Sequence, residues 1–168
     1  GNNFIYAPLV NYADHTFGVC KKMLDDKNAI MGLGDGGAHV GFILDAGYPT
    51  WLISYWSVKQ KAYSMEETVR RLTSDTANAA GLNDRGLLKV GLKADINIID
   101  WENVGSSDPF MTQDLPAGGK RLMQHTQGYV TTIVSGKVTY KNGEFTKERP
   151  GTVVKSVKDK EKTLEFIN

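Results

Sequence analysis

An α/β segment followed by a mostly β segment with long loops is the fold class that this sequence predicts. Three observations carry the prediction. An amphipathic pattern over residues 16–26 passes through a short joint, Lys27-Asn28, into the compact apolar run Ala29 to Leu33. Helix then strand is the rhythm of a parallel α/β protein. The character changes at Gly86, where β-branched runs punctuated by glycines begin. Asn142-Gly143 then supplies a strong hairpin signal, because a type I′ turn needs positive φ at both central residues.

The elements follow in order. Phe4 to Val10 is apolar and aromatic and reads as a short strand or extended segment before a loop at Asn11 to His15. Residues 16–26 place Phe17, Cys20, Met23 and Leu24 at helical spacing, so Cys20 is expected in the core. Ala29 to Leu33 is expected as a buried strand. Pro49 interrupts the apolar stretch from Gly41 to Lys61, which predicts a loop and then a helix from about Thr50. Ser64-Met65-Glu66-Glu67 is a capping box for a helix running through Val69 and Leu72. A shorter helix over residues 74–80 stops at Gly81. Leu87, Leu88 and Val90, then Ile96, Ile98 and Ile99, are strand-like. Residues 103–128 are loop-rich. Tyr129 to Val134 and Lys137 to Tyr140 are strands joined at Ser135-Gly136, and Gly151 to Val157 is a candidate for one more. The organisation expected is therefore an α/β segment over 1–85, a β segment with long loops over 86–157, and a charged tail over 158–168.

Composition narrows the function. The chain has 168 residues, 40% of them hydrophobic, with 20 basic and 19 acidic residues and a net charge of +1. That balance gives no electrostatic case for nucleic acid or for an anionic membrane. No apolar run approaches the ~20 residues of a membrane span. A single cysteine, Cys20, permits no internal disulfide, and a reducing cytoplasm is the expected compartment. The sequence opens at Gly1 without a methionine and is expected to be a fragment.

The chemistry concentrates in Met31-Gly32-Leu33-Gly34-Asp35-Gly36-Gly37-Ala38-His39. An acid on a glycine turn at the end of an apolar run is placed to meet a metal, a water or a substrate. The alternative is an N-cap aspartate opening the next helix or turn. The three histidines, His15, His39 and His125, are widely spaced, and no HExxH or CxxC is present. His15 and His125 read as surface or loop histidines. His39 either helps shape a pocket beside Asp35 or hydrogen-bonds structurally. Trp51, Tyr55 and Trp56 read as packing residues rather than as an acyl-chain pocket.

Several segments in order resemble the N-acyl-D-amino-acid deacylase (D-aminoacylase) branch of the metal-dependent amidohydrolases. They are Tyr6-Ala7-Pro8-Leu9-Val10-Asn11-Tyr12-Ala13-Asp14, the Gly32 to His39 turn, Leu72-Thr73-Ser74-Asp75-Thr76-Ala77, and the long run from Asp84 to Asp100. Asp114-Leu115-Pro116-Ala117-Gly118-Gly119 and Val134-Ser135-Gly136-Lys137-Val138 complete the match, over roughly residues 3–155. One departure is Gly34, where relatives more often carry serine.

The resemblance implies the C-terminal part of a (β/α)8 amidohydrolase barrel, followed by the C-terminal share of a small β-sandwich. A whole barrel takes about 250 residues. Ala29 to Leu33 would be its last strand, with Asp35 at the mouth. The resemblance makes Asp35 the catalytic carboxylate and a metal contact, and Gly36, Gly37 and His39 substrate-binding residues. It implies Zn2+ in the complete enzyme, with little or none held by this chain alone. The substrate would be a small acylated amine, an N-acyl-D-amino acid or similar, cleaved at its amide bond. Two further readings stand beside this one: half of a split hydrolase needing a partner with the missing N-terminal barrel half, and a non-catalytic β-rich binding or assembly module. A broken barrel is also expected to self-associate.

Overall fold

A computed structural model describes residues 12–154 apart from 33, 38 and 43. The segments Phe4 to Val10 and 158–168, and the last three residues of Gly151 to Val157, lie outside the described residues; residues 151–154 form no strand, which corrects that expectation for the described part. The chain divides into two compact units, residues 1–31 and 32–168.

In the first unit, helix α1 (Gly18–Leu24) follows Phe17 as the sequence predicts. Lys21 Nζ lies 2.6 Å from the Asp25 carboxylate, one turn on. The helix ends in a turn in which the Asn28 amide donates to the Asp26 side chain and the Ala29 amide to the Asp26 carbonyl. Two expectations are corrected here. Cys20 is half-buried rather than in the core, and α1 has no buried residue. Residues 29–32 form no strand, and Ile30 is 54% exposed. A strand is defined by its neighbours' hydrogen bonds, and no described segment pairs with this one.

In the second unit, helix α2 (Tyr48–Trp51) carries Pro49 in its first turn and runs on as a π-helical stretch, Leu52–Lys59. Pro49 fits there because the first turn's amides have no helical acceptor. Leu52, Ile53, Trp56 and Ser57 face inward and, with Tyr63, Ala77 and Val104, make the small core. Trp51 stacks on Tyr55 with ring centres 4.6 Å apart, and Trp56 meets both rings edge-on. The Thr50 and Tyr129 hydroxyls, 2.9 Å apart, tie α2 to the sheet.

Helix α3 (Met65–Leu72) is capped as its sequence demands, with the Glu67 amide donating to Ser64 Oγ at 3.1 Å. The Thr68 hydroxyl, fully buried, donates to the Ser64 carbonyl at 2.8 Å. Arg71 spans the Tyr63 ring and reaches back to Glu67 at 2.8 Å. Helix α4 (Ser74–Ala79) follows and ends at Gly81, whose φ is +70°.

The remainder is antiparallel. Strands β1 (Ile96–Ile99), β6 (Tyr129–Val134), β7 (Lys137–Lys141) and β8 (Glu144–Phe145) form one sheet in the order β1-β6-β7-β8. Its two turns, Ser135-Gly136 and Asn142-Gly143, have positive φ at both positions, as type I′ geometry needs. Two smaller ladders pair β2 (Gly105–Ser106) with β5 (Thr126–Gln127), and β3 (Phe110–Leu115) with β4 (Gly119–Met123). The expectation of a loop over 103–128 is thus corrected. Leu115-Pro116-Ala117-Gly118 is a turn, with Ala117 at φ +57° and Gly118 at +74°, and it folds β3 back on β4. Leu87, Leu88 and Val90 are not a strand either. They lie in exposed turns, with Leu88 86% and Val90 fully exposed. All strand pairs among the described residues are antiparallel, so no barrel strand is seen there.

Three ion pairs brace this region. Arg85 bridges Asp84 and Asp95, and the other Asp95 oxygen accepts the Ser135 amide at 2.8 Å. Arg121 grips Asp114 with two bonds, 2.7 and 2.6 Å, across the β3–β4 hairpin. The hydrogen bond from Arg121 holds the Asp114 carboxyl below its usual value of 3.8. A depressed carboxyl stabilises the fold above the unfolded value and loses that contribution as pH falls through the folded one. NMR titration is expected to place the Asp114 midpoint below 3.8, with hairpin order loosening only under it; Arg121→Gln should return the midpoint to the ordinary value. Ser64→Ala is expected to lower stability by about 1 kcal/mol in urea unfolding, the usual worth of an N-cap.

Candidate active site

The glycine turn is built by close backbone approach. A Cβ on Gly34 would lie 2.6 Å from the Asp45 carbonyl oxygen, and one on Gly36 would lie 2.6 Å from Ala46 Cβ. Both distances are below contact. The turn 34–36 therefore rests directly on residues 45–46, and only glycine fits at its two contact points. This gives the local reason for Gly34 where the resembling family more often has serine. Gly37 has a different reason: its φ is +98°, with nothing within 4 Å of where a Cβ would be.

A side chain completes the junction. The Asp35 amide donates to Asp45 Oδ2 at 2.7 Å. The Asp45 carbonyl in turn accepts the Tyr48 amide at 3.2 Å, and the Gly47 carbonyl accepts the Trp51 amide at 3.0 Å. The segment under the turn thus runs straight into α2. On the other side, the Val40 carbonyl accepts the Leu122 amide of β4 at 2.7 Å.

Asp35 is held by its backbone, and its own carboxylate is exposed and makes no hydrogen bond among the described residues. No helix opens at Asp35, but a turn does. The described residues from 36 to 42 are turns, and the next helix starts at Tyr48. His39 is exposed, with φ +46°, and its ring lies 5.2 Å from that of Phe42. Phe42 is 72% exposed, so the His39–Phe42 pair forms an open apolar shoulder on the same loop. Gly36 and Gly37 share the turn with Asp35. His15 is exposed in the first unit. His125 lies on an open groove of about 1160 Å³ with Asn97, Asp100, Gln124, Tyr129 and Tyr140; Asp35 does not line it.

A metal ion at this turn would need further ligands beside Asp35. Zinc needs three or four ligands. Among the described residues, no group of three or more His, Cys, Asp or Glu side chains converges. The described residues do not fit a three- or four-ligand metal site by themselves.

The residue that sequence reasoning missed is Asp45. Standing shortly before Tyr48-Pro49-Thr50, it carries the signal of a helix-capping acid. The N-cap position is instead Gly47, with no side-chain cap, and the Asp45 carboxylate reaches ten positions back to Asp35. Because Gly36 sits on Ala46, Gly36→Ala is expected to cost about 1–3 kcal/mol, the usual range for overpacking. Ala46→Gly in the same chain should recover part of it. Urea unfolding of the two single variants and the double variant measures this coupling.

Comparison with known proteins identifies the family. Residues 10–140 match the model of the Amidohydrolase family. A dihydroorotase of Lactobacillus acidophilus is 33% identical over 89 residues, 51% of this chain and 20% of that protein. An N-acyl-D-aspartate deacylase of Alcaligenes xylosoxydans xylosoxydans is 29% identical over 96 residues, 57% of this chain and 18% of that protein. The chain thus spans about a fifth of the length of the curated relatives it matches. No solved structure matches. With more than half of its length inside the family match, the chain belongs to the amidohydrolase family and is related to its D-aminoacylase branch.

Proposed function

We propose that this chain supplies the acid–base carboxylate of a metal-dependent amidohydrolase that cleaves the amide of an N-acyl-D-amino acid or a similar acylated amine. One observation carries the reading: Asp35 is fixed through its amide nitrogen, so its carboxylate is left exposed for a substrate. Such a group can take a proton from the water that attacks the acyl carbon. It can then return that proton to the amine nitrogen as the C–N bond breaks, giving a carboxylic acid and a free amine. Gly36 and Gly37 keep side chains out of the approach, and His39 stands on the same loop as a substrate contact. The family is generally metal-dependent. Zinc, where the complete enzyme uses it, would draw on donors beyond the described residues.

In this reading the first part of the chain closes a (β/α)8 barrel, and the strands from β1 onward are its share of a small β-sandwich. The antiparallel four-stranded sheet supports the second half of that statement. A partner carrying the remaining barrel, or a second copy, would cover Leu87, Leu88 and Val90, which the chain leaves exposed. The dihydroorotase likeness favours a second substrate reading, in which dihydroorotate replaces the acylated amino acid.

The test has two arms. The 168-residue chain alone is expected to hydrolyse neither N-acyl-D-amino acids nor dihydroorotate. In a complex or longer chain that contains this sequence and turns over such a substrate, Asp35→Asn should lower kcat by about 10²–10⁴-fold, the usual worth of acid–base catalysis. Activity that survives Asp35→Asn within about fivefold would sink the proposal.

A further inference from the structure

We infer that Asp45 is the positioning residue of the Asp35 turn, an inference that rests on the reading of Asp35 given above. Three contacts converge on residues 45–46 from the turn. The Asp45 carboxylate accepts the Asp35 amide at 2.7 Å, and a Cβ on Gly34 would meet the Asp45 carbonyl at 2.6 Å. A Cβ on Gly36 would meet Ala46 at 2.6 Å. The glycines bracket Asp35 on both sides, and the bond to Asp45 falls on the residue between them. Segment 45–47 is itself anchored: its carbonyls accept the amides of Tyr48 and Trp51, and the helix they begin buries Leu52, Ile53 and Trp56.

The consequence is directional. Glycines flanking an acid leave its backbone free to wander, which would spread the carboxylate over many positions. A charge-assisted bond to the amide at position 35 removes that freedom without engaging the carboxylate of Asp35. Asp45 therefore joins a glycine-loosened turn to a helix rooted in the core. It touches no reacting atom and acts through Asp35. Its chemistry also sets which substitutions are tolerated. Asparagine keeps an acceptor oxygen at the same reach, and alanine keeps none.

Amide hydrogen exchange on the ¹⁵N-labelled 168-residue chain tests this directly. Asp45→Ala is expected to speed exchange at the Asp35 amide about tenfold or more, the worth of one bond to a charged acceptor. Exchange at Leu52, Ile53 and Trp56 should stay unchanged, and Asp45→Asn should keep most of the protection. Unchanged exchange at Asp35 in both variants would overturn the inference. So would loss of protection at the three core amides in both, which would make Asp45 a general fold residue. In a protein that hydrolyses the acylated substrate, Asp45→Ala should lower kcat about tenfold with KM within about twofold, and Asp45→Asn should restore most of it. Absence of hydrolysis in every unsubstituted form counts against the proposed function alone, because the exchange result does not depend on turnover.

Discussion

The close approach of residues 34–36 to residues 45–46 is the constraint from which the candidate site follows. Two backbone segments can lie this near only where no Cβ intervenes, and Gly34 and Gly36 are the two places where one would collide. The approach brings the Asp35 amide to a carboxylate ten residues on. Among the described residues, the Asp35 carboxylate takes no hydrogen bond. A turn organised by backbone contacts keeps its one acid available, whereas an N-cap aspartate would have spent its carboxylate on helix amides.

That turn is only as well placed as the segment beneath it, and the segment is placed by α2 and the π-helical stretch. Three aromatic rings meet where α2 runs into the 52–59 stretch, with Trp51 flat against Tyr55 and Trp56 edge-on to both. The Thr50–Tyr129 hydroxyl pair then fixes the start of this helix to the middle of the four-stranded sheet. From sheet to helix to segment 45–47 to Asp35, each joint is a hydrogen bond or a packed ring. π-helical turns often mark functional regions, and this one borders the candidate site.

Local signals were legible in the sequence where local geometry decides the structure. Ser64 and Glu67 announced a cap, and a cap formed. Asn142-Gly143 and Ser135-Gly136 announced tight hairpins, and both turn with positive φ. The failures occur where structure depends on distant partners. Ala29 to Leu33 has the composition of a buried strand, but residues 29–32 pair with no described segment. Leu87, Leu88 and Val90 are apolar yet exposed for the same reason. The β3–β4 hairpin was hidden by its own turn, since Pro116 and two glycines look like open loop until Arg121 is seen gripping Asp114. Asp45 was hidden because its position suggests a helix cap, and only the fold reveals its bond to Asp35.

The division of labour within the site follows from the same geometry. Amide hydrolysis needs a group to move a proton and an electrophilic centre to receive charge as water adds. Among the described residues the Asp35 carboxylate takes no hydrogen bond, and no group of three or more metal-ligating side chains converges. A surface acid alone would be an ordinary solvated side chain. What separates Asp35 from the other exposed acids is how its backbone is held, with two glycines in close contact and the Asp45 carboxylate on its amide, while its side chain takes no hydrogen bond among the described residues. Asp84 and Asp114 are the contrast, because each places its carboxylate on an arginine and braces a turn. An ordered main chain around an acid that takes no hydrogen bond among the described residues, in a chain of the amidohydrolase family, is the support for the role proposed for Asp35.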